Sequence, residues 1–133
     1  MMFRIAAVLA LALCFFGTEN RASAAADQPF TQTALHDLLN GNSIRGTWGK
    51  KATPYTQHFA DGGRTMYRED GSRVTYGTWR INSSGKYCSV WPPSPTEVCY
   101  LVLQGNNSDE IVWQTSTGER YPATVSQGDA FSN

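Results

Sequence analysis

The chain is 133 residues long and electrically balanced, with 11 Lys and Arg against 11 Asp and Glu, and 12% of it is aromatic. That balance, with no basic run longer than Lys50-Lys51, argues against nucleic acid or an acidic membrane surface as the main partner, since both select a concentrated positive field. The length allows one hydrophobic core rather than two.

Residues 1–26 have the three-part layout of a cleaved signal peptide. Arg4 supplies the positive end, and Ile5 to Phe16 form an unbroken apolar run, well short of the roughly 20 residues needed to span a bilayer. Ala22, Ser23, Ala24, Ala25 and Ala26 follow, so cleavage after Ala24 or Ala26 leaves a single secreted β domain over 27–133. Leu11-Ala12-Leu13-Cys14 offers a lipoprotein acceptor as the alternative, but Leu13 stands where such sites need a small residue. Removing the leader removes Cys14 and leaves Cys88 and Cys99, an even pair in an oxidising compartment. No basic residue adjoins either cysteine, and the spacing is not C-x-x-C. A structural disulfide is therefore favoured over reactive thiols, worth about 3 kcal/mol by the chain-entropy argument.

Thr31 or Thr33 caps a short helix bearing Leu35, Leu38 and Leu39 on one side, and Asn40-Gly41-Asn42 ends it. Beyond Ser43 the punctuation is regular, from Asp61-Gly62-Gly63 through Asp70-Gly71-Ser72 to Ser116-Thr117-Gly118. Turn residues at this spacing between β-branched and aromatic runs predict strands at 44–49, 55–60, 64–69, 73–81, 86–91, 98–104, 110–115 and 120–125. Eight sequential strands make a mainly β antiparallel meander, closed as a small up-and-down barrel or strongly curved as a sheet. The tail from Gln127 is expected to fray.

Loop lengths set the expected registers. A four-residue loop at 82–85 puts Trp79 opposite Cys88; a loop at 92–95 puts Cys88 opposite Cys99; closure over 105–109 sets Leu101 against Trp113. One face then gathers Trp79, Ile81, Cys88, Cys99, Leu101, Leu103, Ile111 and Trp113 as a core, with the disulfide against Trp79. The other face is amphipathic, and its residues Tyr76, Arg80, Tyr87, Trp91 and Tyr100 are the candidate contacts for a ligand or partner; the plainer alternative is a face covered by the helix and loops. A tight turn at Asp70-Gly71 would oppose Arg68 to Arg73, an unfavourable pair, so a bulge is expected there.

Catalytic signatures are absent from the sequence: no G-x-S-x-G, H-E-x-x-H or Gly-rich phosphate loop occurs. His36 and His58 fall on different elements and lack further ligands, since the cysteines are committed to each other, so no metal or other cofactor is expected. Asp61 and Asp70 each precede Gly in a turn slot, which Asp fills for backbone reasons rather than as half of a catalytic carboxylate pair.

Gly46-Thr47-Trp48 and Gly77-Thr78-Trp79 repeat one tripeptide. The first follows a short helix and opens a strand, which resembles the G-x-W signature of lipocalin-type barrels. The second, with Cys88, Trp91, Cys99 and Tyr100 after it, resembles a family of small secreted proteobacterial proteins of unknown function; that likeness runs from Ile44 to Val125 and implies a Gram-negative periplasm, with no activity to carry over. The expectation is thus a monomeric, non-enzymatic periplasmic or secreted binding or accessory protein. Its partner would be a small ligand or an envelope protein, with no membrane anchor after cleavage. The alternatives are a small inhibitor of a lytic or hydrolytic enzyme acting through the proline-rich loop 92–97, and an enzyme of unknown class.

Overall fold

The computed structural model describes residues 26–132; the apolar leader and the expected cleavage position after Ala24 lie outside the described residues. Helix α1 (Gln32–Leu39) precedes eight strands: β1 (Ser43–Trp48), β2 (Thr53–Phe59), β3 (Arg64–Glu69), β4 (Thr75–Ile81), β5 (Tyr87–Val90), β6 (Glu97–Gln104), β7 (Glu110–Gln114) and β8 (Arg120–Ser126). Each strand pairs antiparallel with the next, and β8 returns to β1, closing the barrel. Closure removes both free sheet edges, the chief aggregation hazard of an open meander.

Of the two candidate caps, Thr31 starts α1, its hydroxyl accepting from the Ala34 N–H at 3.2 Å. Leu35 and Leu39 are fully buried, which contributes roughly 2 kcal/mol each. The chain leaves the helix through Gly41 at φ +79°, a left-handed turn that suits Gly. Gly41 N–H then donates to Phe59 O, and Phe59 N–H to Asn42 O. The helix is thereby stitched to the end of β2 and plugs that end of the barrel, where His36 stacks on Trp79 with ring centroids 5.5 Å apart.

The eight strands fall where the turn residues place them, and Cys88 lies opposite Cys99, joined by a disulfide. Two hairpins differ from expectation by one residue each. Between β4 and β5, Ile81 pairs with Tyr87 and Trp79 with Ser89, not with Cys88. The cause is Asn82: its side-chain oxygen accepts from the N–H groups of Ser84 and Lys86, and its own N–H donates to Lys86 O, so the turn takes in Lys86 as well. Between β6 and β7, Val102 rather than Leu101 opposes Trp113, because Gly105 N–H bonds to Glu110 O and draws Glu110 into the turn side.

A one-residue slip sends every side chain of a strand to the other face. The first slip turns β5 and β6 over relative to β4, and the second restores β7. Trp79, Ile81, Ile111 and Trp113 face inward as expected, whereas Cys88, Cys99, Leu101 and Leu103 face outward. The disulfide consequently lies on the outer wall beside Arg80 and Glu97, not against Trp79. Cys88 and Leu103 are nonetheless buried; over Leu103, the segment before α1 adds to the part of β6 beyond its pairing with β5, through a Pro29–Leu103 bridge and the Asp27 N–H to Gln104 O bond. Tyr87, Ser89, Tyr100 and Val102 take the vacated interior positions.

Near Asp70 the pairing is wider than a tight turn. Tyr67 pairs with Thr75, so Arg68 does not oppose Arg73; its guanidinium instead sits 5.2 Å from the Phe131 ring. The tail beyond Gln127 is tied back rather than frayed. Ser43 Oγ donates to Gly128 O, Ala130 N–H donates to Ser43 Oγ, and Gly128 N–H donates to Asn42 Oδ1. No helix among the described residues is long and apolar enough to cross a membrane.

Candidate functional site

Alternate strands run toward opposite ends of an up-and-down barrel, and this decides where each inward side chain lands. One end is filled by α1 with Phe59, Trp79 and Ile81, all buried. At the other end, where β1, β3, β5 and β7 finish, no helix among the described residues intervenes, and a cavity of ≈ 350 Å³ opens between the strands. Its deep wall is Tyr55, Gln57, Tyr87, Ser89 and Trp113, all buried; its rim is Trp48, Tyr67, Thr75, Trp91, Pro92 and Tyr100, half-buried or exposed.

The two Gly-Thr-Trp tripeptides acquire separate roles from strand direction. β1 runs toward the mouth, so Trp48 reaches the rim, where its ring lies 4.4 Å from that of Tyr121 and 5.4 Å from that of Tyr100. β4 runs away from the mouth, so Trp79 joins the plug and donates its indole N–H to Ala60 O at 3.1 Å. In both, the glycine faces inward where a neighbouring strand comes close. A Cβ at Gly46 would stand 2.8 Å from Pro122 O; one at Gly77 would stand 2.5 Å from Val90 O and 2.8 Å from the Trp91 ring. Glycine here allows close backbone approach in a tightly curved sheet.

Aromatic rings touch around the cavity from deep wall to rim. Tyr55 stacks on Tyr67 at 5.3 Å, Tyr67 meets Trp91 edge-on at 5.9 Å, and Tyr87 meets Trp113 at 4.9 Å. The polar groups among them are fixed. Thr65 Oγ1 donates to His58 O, so it must accept from Gln57; the Gln57 amide therefore points its NH₂ at Thr65 (3.0 Å) and at the Tyr87 hydroxyl (2.9 Å). Trp113 Nε1–H donates to the Tyr55 hydroxyl at 3.0 Å, and Trp91 Nε1–H to Ser89 Oγ at 3.0 Å.

Burial pushes the Tyr55, Tyr87 and Tyr100 phenols upward in pKa, and hydrogen bonds from Trp113 and from Ser89 and Gln57 offset part of this at Tyr55 and Tyr87. Tyr67 is pushed up to about 12, first by burial and then by the Glu69 carboxylate beside it. All four are neutral donors at physiological pH, and no lining residue carries a formal charge.

The five residues singled out from sequence divide cleanly. Tyr87, Trp91 and Tyr100 line the cavity. Tyr76 and Arg80 stand on the outer wall: Tyr76 is 59% exposed, and Arg80 forms a two-pronged ion pair with Glu97 at 2.8 and 2.7 Å. Sequence reasoning placed Trp113 in a separate core and did not single out Trp48, Tyr55, Gln57 or Tyr67; their alternation was readable, but their meeting point depends on the two slipped turns. The remaining candidates do not assemble. Asp61 lies in the loop at the plugged end, accepting from Asn40, while Asp70 lies at the open end, paired with Arg45. His58 is buried against Ser43 Oγ at 3.1 Å. Cys88, Glu97 and Cys99 place donor atoms within 4.8 Å of one another, but the two sulfurs are bonded together.

Comparison of the chain with protein-family models, with curated proteins and with solved structures gives no match.

Proposed function

We propose that this is a non-enzymatic binding protein of the periplasm or extracellular space that holds a small molecule inside its barrel. The observation that carries the reading is the one-ended aromatic cavity of ≈ 350 Å³, which falls in the size range of small-molecule sites, roughly 300–1,000 Å³. Seven of its eleven lining residues are aromatic. A barrel with no function for its interior would fill it with side chains, as the plugged half does. The disulfide and the leader-like segment support an oxidising compartment. The inhibitor alternative draws less support: Trp91 and Pro92, at the start of the proline-rich loop, line the cavity rim, so the base of that loop is part of the cavity wall.

Native mass spectrometry of the processed protein, purified without denaturation from its own compartment, tests the reading. A retained molecule of small-ligand mass on the wild type, lost on a Thr75→Trp variant that crowds the rim, is the expected result. A bare wild-type chain whose tryptophan emission ignores a panel of small aromatic compounds would overturn it.

A further inference from the structure

Resting on the reading of the cavity as a small-molecule site, we infer that the ligand is an uncharged, planar, fused-ring aromatic or heteroaromatic compound. It carries a hydrogen-bond acceptor that receives the Tyr55 hydroxyl proton at the deep wall.

Charge is the first discriminator. Transfer of an ion from water into an apolar site is costly without a partner charge or a dense set of donors. Here no Lys, Arg, Asp, Glu or His lines the cavity. Glu69, near the rim, is engaged by the Tyr67 hydroxyl at 3.3 Å. A fatty acid or other carboxylate finds no cation, and a quaternary ammonium, which ring faces attract, finds no carboxylate in the lining to complete its cage. A sugar would need most of its hydroxyls paired, and the lining offers mainly ring faces with hydroxyls at their tips, while Gln57 spends both its N–H groups on Thr65 and Tyr87.

Shape is the second. The rings make flat walls, with Tyr55 and Tyr67 stacked at an interplanar angle of 26°. At about 30 Å³ per water, the cavity holds the volume of about a dozen waters, room enough for a compact fused-ring compound. Planar ligands gain most from such walls through offset and edge contacts.

Hydrogen-bond direction is the third. The Tyr55 oxygen accepts from Trp113, and among the described residues no hydrogen bond uses the Tyr55 proton. A phenol has one proton and is free to rotate it. Tyr55 lines the cavity and is 2% exposed, so a bound acceptor is the partner that would satisfy it. The indole N–H behind it polarises the phenol and strengthens it as a donor.

Calorimetric titration of the processed, oxidised protein with four probes tests this: coumarin (uncharged fused ring with a carbonyl), naphthalene (no acceptor), 2-naphthoate (anion) and tetramethylammonium (cation). The expected order is coumarin tightest, with 2-naphthoate and tetramethylammonium each weaker by about tenfold or more. In Tyr55→Phe, coumarin weakens about fivefold, the scale of one neutral hydrogen bond, while naphthalene is unchanged, which also shows the cavity intact. Tighter binding of either ion than of coumarin overturns the uncharged class. Equal loss of coumarin and naphthalene in Tyr55→Phe, or no loss of coumarin, overturns the donor role. No heat from any of the four with the wild type overturns the cavity reading itself.

Discussion

Trp113 and Tyr55, 58 positions apart in the chain, are joined by a buried 3.0 Å hydrogen bond from indole nitrogen to phenol oxygen. It links β7 to β2 across the barrel interior, where neither strand neighbours the other in the sheet. Tyr55→Phe leaves the indole N–H without its acceptor, and a loss of about 1–3 kcal/mol is expected. Trp113→Phe should cost more, through lost ring volume as well. Urea denaturation of both single variants and the double should give a coupling of about 1 kcal/mol; strict additivity would show that the bond adds nothing to stability.

The five residues first singled out from the sequence should separate into two groups in a coumarin titration. Trp91→Ala and Tyr100→Ala remove rim or wall surface, and each should weaken binding about tenfold. Tyr76→Ala and Arg80→Ala act on the outer wall and should leave affinity unchanged. A weakened Arg80→Ala would place the binding surface outside the barrel.

The disulfide closes a loop with a sequence separation of 11 at the base of the hairpin that carries Trp91 and Pro92. Cys88→Ala with Cys99→Ala should lower stability by about 3 kcal/mol on the chain-entropy argument, read from the urea midpoint against the oxidised wild type. Intact mass of protein from its own compartment should fall about two daltons below the dithiol mass, one hydrogen per sulfur. A dithiol mass there would remove the staple from the physiological form.

Alkaline stability follows from the buried phenols. Tyr67 rises from 10.0 to about 12 in the folded protein, and Tyr55, Tyr87 and Tyr100 shift in the same direction. Above pH 10 the unfolded chain loses these protons first and so binds fewer than the native state, which makes the slope of unfolding free energy with pH negative. Stability should be intact below about pH 10 and decline toward pH 12. Phenolate absorbance followed alongside circular dichroism checks this: ionisation of the buried set should coincide with loss of structure. Full ionisation with the fold retained would contradict it.

Gly77→Ala forces a methyl to within 2.5 Å of Val90 O and 2.8 Å of the Trp91 ring. Backbone cannot yield as a flexible side chain does, so about 1–3 kcal/mol of destabilisation is expected, together with weaker coumarin binding as Trp91 is displaced. Unchanged values for both would mean that the close approach is relaxed in solution.

The barrel, the helix and the Cys88–Cys99 pairing were legible because each rests on local signals: apolar periodicity, turn residues and cysteine count. The cavity was not, although every residue in it was visible. Two turns decide the matter, and both hinge on side-chain or backbone captures that loop counting misses, Asn82 taking in Lys86 and Gly105 taking in Glu110. Because the two slips cancel, Trp79, Ile81, Ile111 and Trp113 stayed inward while the strands between them exchanged faces. Tyr87 and Tyr100, expected on the face opposite Trp79, therefore line the interior beside it, while Tyr76 and Arg80, expected on the same face as those two, stand outside.

The helical plug has a consequence for traffic. With Leu35 and Leu39 seated in one end of the barrel, the interior is a cul-de-sac rather than a conduit. Among the described residues the opening lies past Trp91 and Tyr67, so a molecule that entered there would have to leave the same way. Were a small molecule bound there, its arrival and its release would use the same face of the barrel.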